Sequence, residues 1–169
     1  MAVVKKSKIK RKLLASFLNT GTEETPVWSL IGDGVTEQTI SYNPQTSDET
    51  YINQDTGVTD VENYKPTVNN PMTAIKGDPV FEFVDDIRIK RKVLDDCVTD
   101  VLFVYLYKEA TEGAYPAERN KCGVQVDDFG GAGGESTKLN FSLNLRGDPV
   151  HGTFNPETKT FTEEGGVSA

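Results

Sequence analysis

The chain has one histidine, two cysteines, two methionines and one tryptophan in 169 residues. So few nitrogen and sulfur ligands leave no basis for a structural zinc site, which takes four. Cys97 and Cys122 lie 25 positions apart, and two cysteines exclude a disulfide-dense secreted scaffold. Free, small core residues are the default reading of both. No apolar stretch approaches the roughly 20 residues of a membrane helix. Basic residues precede the run Leu13–Leu18, but its six residues fall short of a signal-peptide core. The composition is that expected of a soluble, intracellular chain forming a single domain over 1–169. At this length about 70% of the unfolded surface is buried on folding, so no staple is needed.

Legible catalytic chemistry is also missing. Phe129-Gly130-Gly131-Ala132-Gly133-Gly134 suggests a phosphate loop, yet no Lys-Ser/Thr follows and the next element reads as a strand. Without a helix N-terminus there is no dipole to hold phosphate. A turn between two strands is the better reading. Five acidic doublets occur (Glu23-Glu24, Asp85-Asp86, Asp95-Asp96, Asp127-Asp128, Glu163-Glu164). Neighbours along a strand point to opposite faces, so adjacency does not build an opposed carboxylate pair. Gly32-Asp33-Gly34 lacks the later ligands of a calcium loop. His151 stands near a turn with no nucleophile motif beside it. No catalytic residue, metal ligand or cofactor site is assigned, and no enzymatic activity is expected.

Charge is unevenly distributed. The net charge is −8, but Lys5, Lys6, Lys8, Lys10, Arg11 and Lys12 form a basic arm over residues 1–12 that holds no acid. The remainder has twelve bases against 26 acids, a net of −14. Such a body is a poor reader of duplex DNA, because phosphate neutralisation supplies most of that affinity. The arm reads as a solvated terminus or a contact for an acidic neighbour.

Most of the chain patterns as β-structure. Leu139, Phe141, Leu143 and Leu145 alternate with Lys138, Asn140, Ser142 and Asn144 over Thr137–Arg146. Cys122, Val124 and Val126 alternate likewise over Cys122–Asp127. Val98–Tyr107 is apolar on both faces, as in a central strand covered on each side by a helix or a neighbouring subunit. Thr36–Asn43 reads as a strand. Tyr51–Asn53 and Val58–Tyr64 flank Asp55-Thr56-Gly57 and read as an extended hairpin over about 49–65, too polar to bury itself. A short hairpin is expected at Thr153-Phe154 and Thr160-Phe161, then a loose tail over 163–169. Trp28 should anchor a core.

One helix is expected over about 79–92. Asp78 suits the N-cap, Pro79 the first turn, and Val80, Phe83, Val84 and Ile87 share a face. Asn19–Pro26 and Lys65–Lys76 read as linkers, the latter crossing from hairpin to helix. Gly77-Asp78-Pro79-Val80 recurs as Gly147-Asp148-Pro149-Val150, attributable to shared turn chemistry.

A series of short segments extends this reading. Trp28 with Ile31-Gly32-Asp33-Gly34-Val35 comes first, then Ile40-Ser41-Tyr42-Asn43-Pro44 and Gly77-Asp78-Pro79-Val80-Phe81-Glu82-Phe83-Val84-Asp85-Asp86. Tyr115-Pro116-Ala117-Glu118, Val126-Asp127-Asp128-Phe129-Gly130-Gly131 and Gly147-Asp148-Pro149-Val150-His151-Gly152-Thr153-Phe154 follow. In this order, from about Lys12 to Thr162, the chain resembles the major tail tube protein of long-tailed, non-contractile bacteriophages of Gram-positive hosts. No single segment is diagnostic; the order carries the resemblance.

The resemblance implies a mainly β fold, a β-sandwich or partly open barrel with one flanking α-helix and a protruding hairpin. It implies hexameric rings stacked into a virion tail tube around a tape-measure protein and assembled in the host bacterial cytoplasm. Tail terminator and distal tail or baseplate proteins would cap the tube, and double-stranded DNA would pass an acidic lumen without specific binding. This chain would insert in no membrane. Inter-ring contact is then expected from Tyr51, Ile52, Asn53, Asp55, Val58, Asp60, Val61, Glu62 and Tyr64. Subunit contact around the helix and central strand is expected from Arg88, Arg91, Phe103 and Tyr105. The alternative is a carbohydrate-binding β-sandwich module of a phage tail tip or secreted protein; one tryptophan offers little for sugar stacking.

Overall fold

The computed structural model describes residues 4–165. In chain order it comprises β1 (Leu14–Asn19), β2 (Trp28–Leu30), β3 (Thr39–Ser41), β4 (Pro44–Glu49), β5 (Val58–Tyr64), β6 (Thr67–Asn70), α1 (Pro79–Lys90), β7 (Val98–Tyr105), β8 (Tyr115–Gly130), β9 (Lys138–Asn155) and β10 (Thr160–Glu163). The expected class is the one found: mainly β, β-sandwich-like, with a flanking helix. The chain divides into two compact units, and the long strands β8 and β9 each contribute one half to either unit.

The first unit comprises the segments up to Asp33, Thr99–Lys121 and from Gly147 onward. β1 pairs antiparallel with β2 on one side and with β7 on the other, with Phe17 opposite both Leu30 and Leu102. Phe17, Trp28, Leu102, Val104, Ala117 and Phe154 form its buried cluster. The rings of Phe17 and Phe154 lie 4.7 Å apart. Asn19, 2% exposed, accepts bonds from the Gly21 and Val27 amides at 2.9 and 3.0 Å and pins the intervening loop. β10 closes on β9 with Phe161 opposite Phe154, as expected for the short hairpin. Gly152 is required there, because a Cβ would lie 2.1 Å from the Thr162 carbonyl.

In the second unit, residues 34–98 and 122–146, β6 pairs with β3 and with the first half of β9. Val68, Leu139, Phe141, Leu143 and Cys122 are buried, as are Val80, Val84 and Ile87 of α1. Each fully buried aliphatic side chain contributes about 1.5–3 kcal/mol. Asp78 caps α1 by accepting from the Phe81 amide at 3.1 Å, and Pro79 opens its first turn. The helix stops two residues before the expected Lys92. Arg91 takes a left-handed conformation (φ 51°), and the Arg91 and Lys92 amides turn back onto the last carbonyls.

Several expectations are corrected. Lys65–Lys76 is not a linker: it contains β6, with Val68, Asn70 and Met72 almost wholly buried, because ladder bonds to β3 and β9 override its prolines. The hairpin runs from Pro44 to Tyr64, with β4 as its first strand; Tyr51–Asn53 belongs to the loop. Thr36–Asn43 shortens to β3. The run Leu13–Leu18, given no structural role from sequence, supplies most of β1. The basic arm is exposed from Val4 and ends in a single 3-10 turn at Arg11–Leu13. The tail is ordered as far as Glu163 in β10, and residues 166–169 lie outside the described ones. The apolar strand β7 has Val101, Leu102, Phe103 and Val104 buried by this chain alone, so no neighbouring subunit is needed to cover them.

Phe154 supports the first unit from inside its cluster. Phe154→Ala is expected to destabilise the chain by about 3–5 kcal/mol in denaturant unfolding; a cost below about 1 kcal/mol would show that the cluster collapses around the void.

Candidate functional site

Two surface features of the second unit stand out, an exposed ribbon and a groove. The first is the β4–β5 ribbon, a separate two-stranded sheet. No residue of either strand is buried. Its own bonds are polar: Ser47 donates to Glu62, and Thr59 donates to Asp48 at 2.6 Å. Asn43, at φ 45°, fastens the base by donating to the Lys65 carbonyl at 3.0 Å. Tyr42 meets Tyr64 edge-on, with centroids 6.4 Å apart. From Pro44 to Tyr64 there are five acids (Asp48, Glu49, Asp55, Asp60, Glu62) and no base. At the loop, Tyr51 is half exposed and Ile52 fully so.

All nine residues expected at the inter-ring contact lie on this ribbon. Tyr51, Ile52, Asn53 and Asp55 sit in the loop, and Val58, Asp60, Val61, Glu62 and Tyr64 on β5. Only Val58 is even partly buried.

The second feature is a groove of about 690 Å³ beside the C-terminus of α1. Ile87, Arg88, Arg91 and Lys92 line one side, Val93, Leu94 and Cys97 the next, and Gly123–Phe129 of β8 the other. Asp85 holds Arg88 at 2.7 Å, and the Arg88 guanidinium stacks 4.0 Å from the Phe129 ring centroid. Lys90 and Lys92 both pair with Asp86 at 2.9 Å. These lysines hold the exposed Asp86 carboxyl below its ordinary range. Arg91 instead donates to the Arg88 carbonyl at 2.8 Å and extends into solvent. Leu94 is 83% exposed with φ 54°, a left-handed conformation that costs a leucine about 1–2 kcal/mol.

The polar side of the β9 alternation forms a hydrogen-bonded row in the same unit. Ser142 donates to Asp127 at 2.7 Å, Asn140 to Asp128 at 2.7 Å and Asn144 to Gln125 at 3.2 Å. Gln125, Asp127, Asp128 and Asn144 of this row also line the groove.

No family model matches the chain, and no curated protein matches it by sequence. Solved structures do. A chain from the tail of an empty gene transfer agent particle, refined helically with C6 symmetry, superposes with TM-score 0.62 at 13% identity, covering 92% of this chain and 99% of that one. A chain from the virion of a native gene transfer agent gives 0.60 at 13% identity with the same coverage. One from the six-fold symmetrised baseplate of an anti-feeding prophage gives 0.50 at 10%, over 88% and 97%. The chain has the fold of these tail and baseplate chains.

With that fold in view, the residues expected around the helix and central strand separate. Arg88 and Arg91 line the groove. Tyr105, half-buried, donates to Glu118 at 3.1 Å and is not among the residues that line the groove. Phe103 is corrected: at 1% exposure it belongs to the chain's own core. Sequence reading missed Val93, Leu94 and Phe129 as groove residues. Only the apolar pair Val93-Leu94 next to acids hinted at exposure. Among the described residues no helix is long and apolar enough to cross a membrane, and no three His, Cys, Asp or Glu gather as metal ligands.

In the first unit, burial pushes the Asp100 carboxyl up, Arg119 and Lys121 pull it down, and Glu23 adds to the rise. A raised carboxyl holds its proton more tightly in the folded chain. Its stabilising contribution is present at low pH and lost as pH rises through the folded value, so ionised Asp100 costs stability at neutral pH. Asp100→Asn is therefore expected to raise the thermal midpoint at pH 7, with the gain vanishing on acidification through the carboxylate range. A lowered midpoint at pH 7 would mean that Arg119 and Lys121 need the charge.

Proposed function

We propose that the chain is the structural subunit of a phage-like tail tube, of the kind built by long-tailed, non-contractile phages of Gram-positive hosts. Copies assemble into hexameric rings, and the rings stack around a tape-measure protein. The tube ends against tail terminator and distal tail or baseplate proteins. It is assembled in the host bacterial cytoplasm and later conducts double-stranded DNA. The chain performs no catalysis in this role.

The observation carrying this reading is the likeness over 92% of the chain to a subunit of a C6-symmetric tail. The ribbon supports it independently. A two-stranded hairpin is marginal in water, and this one is without a buried residue. Ring closure needs heterologous contacts repeated by rotation, and stacking needs a second set along the axis. An exposed ribbon that forms a separate two-stranded sheet suits the second. Tyr51, Ile52, Asn53, Asp55, Val58, Asp60, Val61, Glu62 and Tyr64 are accordingly assigned to the contact between rings, with Arg88, Arg91 and Tyr105 in contacts around the helix and central strand. The net of −14 outside the basic arm suits a channel wall that repels phosphate. That repulsion acts over about 8 Å at physiological salt, so it works as a lining.

Two preparations test the proposal by negative-stain imaging. The purified chain in chelator, without nucleotide or DNA, is expected to form rings or tubes as concentration rises. The variant with Thr50–Asn63 replaced by a short Gly-Ser linker is expected to stay folded and form no tubes. A wild-type chain that stays discrete at every concentration overturns the tube reading. Normal tubes from the linker variant overturn the ribbon's part in it.

A further inference from the structure

We infer that the groove beside the C-terminus of α1 is the seat for the β4–β5 loop of a second copy of this chain, Tyr51 and Ile52 entering beside Leu94 and Phe129 and the ribbon's carboxylates meeting Arg91. This deepens the tail-tube reading and rests on it.

Charge names the occupant. The ribbon carries five acids and no base, while the groove rim carries Arg88, Arg91 and Lys92. Asp85 and Asp86 already engage Arg88 and Lys92. Among the described residues no carboxylate pairs with Arg91, whose guanidinium bonds a backbone carbonyl at 2.8 Å. Asp127 and Asp128 also line the groove, and a carboxylate would avoid them. The loop has the matching order: Tyr51 and Ile52 lie between Glu49 and Asp55, so the apolar pair can meet Leu94 and Phe129 while the acids stay near Arg91.

Size and exposure agree. About 690 Å³ lies within the 300–1,000 Å³ typical of built pockets. Ile52 and Leu94, the most exposed large apolar side chains outside the N-terminal arm, would cover one another. Binding energy of this kind also accounts for a leucine kept in a left-handed, solvent-facing conformation. The ribbon's paired strands extend about 20 Å from their base at roughly 3.3 Å per residue, a length that suits contact with another molecule. Because arm and groove are different surfaces, each copy gives one contact and receives one. The contact therefore propagates without a built-in stop.

Cys97 already lies in the groove, and Cys122 is fully buried. The test is Gln54→Cys, an exposed loop residue beside the apolar pair, in the otherwise native chain, assembled and then mildly oxidised. The expected result is a non-reducing ladder of dimers, trimers and longer chains, since each copy offers one Cys at each end of the contact. The ladder should vanish in the Gln54→Cys, Cys97→Ser double variant while tubes still form in the microscope. Arg91→Glu should raise the concentration needed for assembly by about tenfold, as expected for like charges brought together. Normal tubes without a ladder, or dimers that persist in the double variant, overturn the seat and leave the tube reading standing. A ladder from Ile9→Cys with none from Gln54→Cys places the basic arm in the groove and overturns the ribbon assignment. Wild-type chains that stay monomeric in the microscope overturn both readings.

Discussion

The β4–β5 ladder contains thirteen residues, six on one strand and seven on the other, and buries none of them. Conformational entropy opposes such an element at about 1–2 kcal/mol per residue for the backbone alone. Ladder bonds give little net return, because water offers the same bonds to the open chain. The proposed seat gives that ribbon a partner surface that tolerates five carboxylates and has room for Tyr51 and Ile52. It is the α1 groove, lined by Leu94 and Phe129 and by Arg91, which bonds a backbone carbonyl and pairs with no carboxylate among the described residues.

The remainder of the chain supplies a base firm enough for such an arm. Asn43 fastens the ribbon to the start of β6 through the Lys65 carbonyl and the Thr67 hydroxyl, at 3.0 and 3.2 Å. β6 is then bonded on both edges, to β3 and to β9. The groove is framed by equally fixed parts. The Arg88–Phe129 stack ties α1 to the end of β8, and the Asn140–Asp128 and Ser142–Asp127 bonds hold β8 against β9. Arm and groove are thus both carried on bonded sheet, which spares binding part of its ordering cost.

Where a local signal and the tertiary setting agreed, sequence sufficed. Asp78-Pro79 placed the start of α1 correctly because cap and first-turn chemistry are local. Leu139, Phe141 and Leu143 marked β9 because one face is buried and the next is not. Elsewhere the deciding forces were distant. Pro44–Glu49 contains no aliphatic or aromatic side chain and becomes a strand only through its register with β5. Lys65–Lys76 looked like a linker on account of Pro66 and Pro71, yet Val68 and Met72 are buried beneath partners far along the chain. The repeated Gly-Asp-Pro-Val shows the limit most clearly. Gly77 and Gly147 share a positive φ, at 92° and 69°, but Gly147–Val150 forms no turn. One copy opens a helix and the other continues inside an 18-residue strand. The ribbon residues were legible as exposed from polarity alone. The groove was not, because a left-handed exposed leucine leaves no mark in sequence.

Amide hydrogen exchange across residues 44–64, compared between the free chain and the assembled form, tests most directly whether the ribbon is completed by another molecule. Fast exchange is expected in the free chain, near that of an open hairpin, and strong protection after assembly, while β7 and β9 stay protected in both. Slow exchange of the ribbon in the free chain, unchanged on assembly, would contradict this expectation.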